Sequence, residues 1–388
     1  MYFTHIFLFF LFLYNCFKDI PRPPIYSLLF TGGSTEKLAV VSSDFASGGR
    51  FSVLNPELQI STPNFLNVHS DAVLRYQREK VIIINRLNRD SIQVLDPNLG
   101  FLLEKEFSTG SGTNPQDLLW VDNTRAFVTL YNSNELKIFD MSLGLATRSI
   151  SLSHLVEKSS SGSSGIDGLV EPHRMYQKDN SLFVQLQRLD RNDVSGFPAP
   201  NTNSLLIEIN LQTETIVREI PTPVPNPISR IQEISIFGEP HLLMCLAGRL
   251  GFISQLDGGI FAFRLSDRSF INQPIYSETI AGGDILDFVV YSETEGYAFV
   301  LDKSFNKFIQ KFNPQTGEKI LELAYFPSTA GTIAGLAISK SGKLYIADAN
   351  FQNPGITIFD ITSPKPRKLN PTPIPVGLRP FDMVVIEK

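Results

Sequence analysis

Seven times along the chain an apolar run breaks at a polar turn and resumes as an alternating run, after which another turn and strand follow. The copies are LAVVSSDFASGGRFSVLN (38–55), VIIINRLNRDSIQVLD (81–96), AFVTLYNSNELKIFD (126–140), LFVQLQRLDRND with a long insert before SLLIEIN (182–210), LLMCLAGRLGFISQLDGGIFAFR (242–264), YAFVLDKSFNKFIQKFN (297–313) and LYIADANFQNPGITIFD (344–360). The residues that end the second run are Asn55, Asp96, Asp140, Asn210, Arg264, Asn313 and Asp360, spaced by 41, 44, 70, 54, 49 and 47. Within each copy β-branched and aromatic residues alternate with polar ones, as at Leu136, Ile138 and Phe139, the period of a strand. A period in the forties with about four short strands per unit predicts an all-β, seven-bladed β-propeller of four-stranded antiparallel blades. A single twisted sheet cannot bury both of its faces, so such sheets pack against one another until the ring closes. No amphipathic helix is expected.

The turns and the chain ends agree with this. Asp or Asn after the second run starts a turn through its side chain, with Gly following, as in Asp96-Pro97-Asn98-Leu99-Gly100 and Asn313-Pro314-Gln315-Thr316-Gly317. A Pro-x-Asp-apolar signal opens the innermost strand at Pro115-Gln116-Asp117-Leu118 and recurs near the C-terminus at Pro380-Phe381-Asp382-Met383. The first copy begins directly with a second strand. The terminal strand 381–387 is therefore expected to complete the first blade beside residues 38–62, closing the ring and removing its open edge.

With 388 residues the chain is long enough for a large core, and 34 basic against 39 acidic residues give a net charge of −5. That balance supplies no electrostatic footprint for a nucleic acid, which is excluded as a partner. Cys16 and Cys245 are too few for a disulfide framework or a four-thiolate zinc site. The run IFLFFLFLYNCF from Ile6 to Phe17 has the length of a signal-peptide core and is short for a membrane span. Residues 1–15 thus read as a signal peptide, 16–36 as a tether and 37–388 as the propeller.

Leu13-Tyr14-Asn15-Cys16 resembles a bacterial lipoprotein box, in which the cysteine is lipidated and becomes the mature N-terminus. That resemblance implies a membrane-anchored lipoprotein of the cell envelope, on the periplasmic or surface face of the outer membrane, held by its acyl chains. Phe127-Val128-Thr129-Leu130, then Ser133-Asn134, then Leu136-Lys137-Ile138-Phe139-Asp140 resembles the YVTN-type repeat of seven-bladed surface-layer propellers, with Leu130 standing where that repeat has Asn. Asn85, Asp302 and Asp348 restore that Asn or Asp in other copies. The likeness covers nearly all of 37–388 and implies a fold that serves binding proteins, adhesins, lactonases and dehydrogenase subunits alike.

Candidate chemistry concentrates in loops. Loops between strands two and three share a face with the connections between blades, and the long insertions 153–170, 189–204, 221–228 and 248–260 all fall there, around blades four and five. The tract Ser159 to Gly165 has linker composition. Segments 189–204 and 248–260 mix Arg188, Asp190, Arg191, Asp193, Arg249 and Asp257 with Phe197 and Phe252, a composition suited to the rim of a partner-binding surface. His173 and Arg174 take the place of Gln116 and Asp117 at the start of an innermost strand, which sets them near the mouth of the central channel. Asp284 and Asp287 are candidates to line that channel, His69 precedes Asp71 where another blade begins, and His241 is expected in a turn on the opposite face. Cys245 reads as a core thiol and Trp120 as packing in an innermost strand. No converging set of imidazoles points to a metal, and no nucleophile elbow, phosphate-cradling Gly motif or zinc-protease helix is found. The expected function is therefore non-enzymatic binding of an envelope or extracellular protein or glycan by a monomeric ring without a cofactor. The other reading is a lactonase- or lyase-like enzyme using His173 and carboxylates at the channel mouth.

Overall fold

The computed structural model describes residues 36–156, 167–191, 199–200 and 204–387. Within them the chain forms seven antiparallel blades whose innermost strands surround a central channel. Six blades have four strands, and blade five adds the two-residue strand Tyr276–Ser277 against Gly259–Arg264. The innermost strands are Arg379–Ile386, Ala72–Gln77, Pro115–Trp120, Pro172–Lys178, Gln232–Ile236, Asp284–Ser292 and Gly331–Ile338, for blades one to seven.

Blade one is built from both chain ends. Arg379–Ile386 runs antiparallel to Lys37–Ser43, with Ala39 opposite Val384 and Leu38 opposite Val385. The expected clasp is thus present. The chain then passes outward through Gly48–Asn55 and Ile60–His69 before entering blade two.

The core is divided by the ring. Seven apolar clusters each lie between two adjacent blades; that between blades two and three packs Ile82, Ile84 and Ile92 against Leu118, Val128 and Phe139. The last joins blade seven to blade one through Tyr345, Ile356 and Met383. Every blade is covered on both faces, so its second and third strands read as almost continuous apolar runs: Val81 to Ile84 are all buried. Two details were not expected. The single helical turn Glu278–Ala281 is capped by Ser277, whose Oγ accepts the Ile280 N–H at 3.2 Å. His241 does not sit in a turn but inside the strand Glu239–Leu246, fully buried, because the hairpin turn closes earlier at Phe237 and Gly238.

Candidate binding site in the central channel

Five innermost strands carry a bulge near their first residues. The register skips between Pro115 and Asp117, Pro172 and Met175, Ile285 and Asp287, Ile333 and Gly335, and opposite Val41 and Ser42, where Pro380 and Asp382 face the second strand. A bulge inserts a residue and re-aims its side chain. Phe381, Arg174, Leu286 and Ala334 are such residues, and all four line the channel. The Pro-x-Asp signal is therefore a bulge followed by a carboxylate.

Those carboxylates join blades. Asp382 accepts the N–H of Leu74 in blade two at 2.7 Å, Asp117 that of Met175 in blade four at 2.8 Å, and Asp287 that of Leu336 in blade seven at 2.8 Å. Each takes up a donor from the innermost strand of the next blade. Gln77 and Gln232 do the same for Trp120 and Val290, and Thr129 donates its hydroxyl to the His173 carbonyl at 2.7 Å. Gly335 leaves the room this requires in blade seven, since a Cβ there would lie 3.1 Å from Asp287 Oδ2.

Three arginines face the three aspartates. Arg75 holds Asp117 in a two-pronged ion pair, with Nε to Oδ1 at 2.7 Å, and also donates to the Met175 carbonyl at 3.0 Å. Arg230 of blade five reaches blade one, donating to Asp382 at 2.6 and 2.7 Å and to the Met383 carbonyl at 3.0 Å. Burial works against the Arg230 cation, yet Asp382, Asp287 and Asp117 hold its pKa above the ordinary value. Arg174 has no such pair: its Nη1 donates to the Gln116 carbonyl at 3.0 Å and its buried Nε makes no hydrogen bond. Burial, with Arg230 and Arg86 nearby, lowers the Arg174 pKa to about 10 against the pull of Asp117 and Asp382. Burial raises Asp287 to about 6, opposed by the Leu336 N–H and Arg230. These side chains border a cavity of about 650 Å³.

At the cavity's edge Arg86 binds Asp71 at 2.5 Å and Gln116 at 2.7 Å, and its guanidinium lies 5.9 Å from the Phe381 ring centre. Phe45 packs edge-on to Phe381, and the Arg379 guanidinium sits 4.2 Å from the Phe45 ring and 5.6 Å from that of Phe351. Phe45 and Phe351 are 46% and 66% exposed, and both lie in loops between second and third strands, on the face that carries the long insertions. Phe45 and the exposed Leu87, in the corresponding loop of blade two, adopt left-handed φ values of 58° and 42°, an uncommon backbone for bulky side chains.

Of the candidate site residues picked out by sequence, Arg174 and Asp287 line the cavity, together with Asp117, Phe381 and Asp382 of the two Pro-x-Asp signals. His173 is buried, faces Gln185 and the Pro227 carbonyl, and has an Nδ1 without a hydrogen bond. Burial pushes its pKa well down, and Arg174 and Arg86 push the same way, so the charges acting on it are arginines and not carboxylates. Asp284 stays outside the cavity, accepting from Gly251 N at 2.7 Å and from Ser254 Oγ. Arg191 binds Asp167 at 2.9 Å and Asn132 at 2.8 Å, lies 3.4 Å from Glu171 and covers the Tyr131 ring. Asp190 belongs to the two-residue strand Leu189–Asp190, where it opposes Ala199, and Arg188 directly precedes that strand. Arg249 is exposed, and its N–H donates to Asp257 at 3.1 Å. The Phe252 backbone lies in the short turn Gly251–Ile253, whereas Asp193, Phe197 and Cys16 lie outside the described residues. His69 accepts the Asp71 N–H at 3.2 Å, Cys245 is buried with its thiol on the Ile285 carbonyl, and Trp120 ends its innermost strand. Among the described residues no group of three or more His, Cys, Asp or Glu could hold a metal.

No protein family and no curated protein matches the chain. Solved structures do. A candidate 6-phosphogluconolactonase of Bacteroides fragilis aligns with a TM-score of 0.59 and 15% identity over 92% of this chain and 99% of that one. Dihydro-heme d1 dehydrogenase NirN, in complex with DHE, aligns at 0.56 and 13% over 89% and 74%. Apo AztD from Citrobacter koseri aligns at 0.51 and 13% over 90% and 98%. At such identities the likeness is one of fold, and it supports the seven-bladed propeller.

Proposed function

We propose that the protein is a non-enzymatic binding propeller of YVTN type that engages an envelope or extracellular protein or glycan through its insertion-bearing face. One observation carries this reading: the channel carboxylates are already committed. Asp117 and Asp382 each accept two backbone N–H groups and a guanidinium, and Asp287 accepts a backbone N–H from the next blade. Asp117 and Asp382, used as staples between blades and paired with guanidinium groups, are poorly placed to move protons, which favours binding by shape and charge over acid-base chemistry. The arginine-aromatic stack of Phe45, Arg379 and Phe351 supplies anchors of the kind a partner needs, and in this proposal the blade four and five insertions, which carry in sequence Arg188, Asp190, Arg191, Asp193, Phe197, Arg249, Phe252 and Asp257, extend that surface. In the same proposal residues 1–15 direct export, Cys16 bears the lipid and the tether to residue 36 presents the ring from the membrane.

The test immobilises the protein and measures what it retains from an envelope extract. Replacing 192–198 by a Gly/Ser linker of equal length together with Arg249→Glu should cut retention at least tenfold, with the thermal melt unchanged. Full retention by that folded variant overturns the assignment of the blade four and five surface.

A further inference from the structure

Besides its outer face, the ring has an interior site. Its charges can be paired off one by one: Arg75 with Asp117, Arg230 with Asp382, and Arg86 with Asp71 at the mouth. Arg174 is the arginine left over, and Asp287 of blade six is the aspartate. One Gln116 carbonyl is the hydrogen-bond acceptor of Arg174, its buried Nε has none, and it lines the cavity beside the paired Arg75 and Arg230. A guanidinium presents five donors in a planar fork, so most of the hydrogen-bonding capacity of Arg174 is unused. A buried cation without a partner costs more than one that meets an anion, and the fork matches the paired oxygens of a carboxylate or phosphate.

We propose that the central cavity is a binding site for a small organic anion whose carboxylate or phosphate group seats on the Arg174 guanidinium. The apolar part of the ligand would rest on Leu286, Ala334 and Phe381, the bulge residues that line the same cavity. Asp287, on the blade six wall, repels a second negative group, so one anionic end and an uncharged or cationic remainder is the composition the walls fit. A cavity of about 650 Å³ is within the size range of small-molecule sites. Of the outer-loop residues assigned to the partner surface only Phe45 reaches the cavity, and it is not part of the Arg174 seat, so the two proposals are tested by different variants.

The probes are inorganic phosphate and butyrate, titrated against the intact protein at constant ionic strength with chloride as the control. Calorimetry and the melting temperature are read together. Saturable binding by at least one probe is expected, absent for chloride, at least tenfold weaker in Arg174→Gln and unchanged in Arg367→Gln, on the exposed outermost strand of blade seven. The probe that binds distinguishes a phosphate ligand from a carboxylate. Ala334→Phe narrows the cavity from blade seven while leaving every arginine in place, and it should weaken binding as well; this keeps the test decisive if Arg174→Gln does not fold. No saturable binding by either probe, or equal binding by wild type and a folded Ala334→Phe or Arg174→Gln, overturns the proposal.

Discussion

Asp117 and Asp287 occupy equivalent places in their blades and differ in what surrounds them, and that difference sets what each substitution costs. Asp117 is almost fully buried and bonded twice to Arg75, so Asp117→Asn leaves a guanidinium facing the channel without its counter-charge. The expected loss is about 3 kcal/mol, since breaking one side of a buried pair costs more than the pair itself is worth. Asp287 makes no direct ion pair and its charge is disfavoured by burial. Asp287→Asn can keep the bond from Leu336 while shedding that charge, and the change should stay within about 1 kcal/mol. Urea unfolding of the two variants measures both, and equal losses would mean that the ion pair contributes nothing. Sequence suggested Asp287 as a channel residue and marked Asp117 and Asp382 through their Pro-x-Asp context. It gave no sign of Arg75 and Arg230: Arg75 looks like any solvated polar position in the alternating strand Ala72–Gln77, and Arg230 precedes its strand at the end of a proline-containing connection, so nothing local marks either as facing the channel.

The linker into blade four and the short hairpin after its second strand are held together by one acidic cluster. Glu171, fully buried, accepts the Leu189 N–H at 3.1 Å, and Arg191 lies between it and Asp167. Burial, reinforced by Asp167, raises the Glu171 pKa from 4.5 to about 8. An acid whose pKa is higher folded than unfolded contributes stability that is fully present below the unfolded value of about 4.5 and is lost as pH rises through the folded value of about 8. Glu171→Gln mimics the protonated form and should flatten this slope, by on the order of 2 kcal/mol between pH 5 and 8. Chemical denaturation across that range checks it; parallel curves for the two proteins would rule the carboxyl out as the source. Strand order and the clasp were legible at this scale because period and turn chemistry repeat. The acidic cluster was not, since its members come from separate parts of the chain: Asp167 and Glu171 before blade four, Arg191 after its second strand, Tyr131 and Asn132 from blade three. The position of His241 was missed for a local reason, a left-handed pair at Phe237 and Gly238 that ends the hairpin sooner than the apolar run suggests.

The ring as a whole depends on its last strand. Arg379–Ile386 supplies the innermost strand of blade one, the Asp382 staple to Leu74 and the carboxylate that meets Arg230 across the channel. A chain ending at residue 378 loses all three and exposes Lys37–Ser43 as an unpaired edge. It should aggregate or elute far larger than the intact protein on size exclusion, whereas a compact, cooperatively melting truncation would show that the closure is dispensable. The same arrangement constrains timing during synthesis. Blades two to seven contain all of their own strands and can assemble as they emerge, but the seam between first and last cannot form while residues 379–386 are still inside the ribosome. Until residues 379–386 emerge, the nascent chain carries an open sheet edge at Lys37–Ser43, and that interval is when it is most exposed to mispairing with another copy of itself.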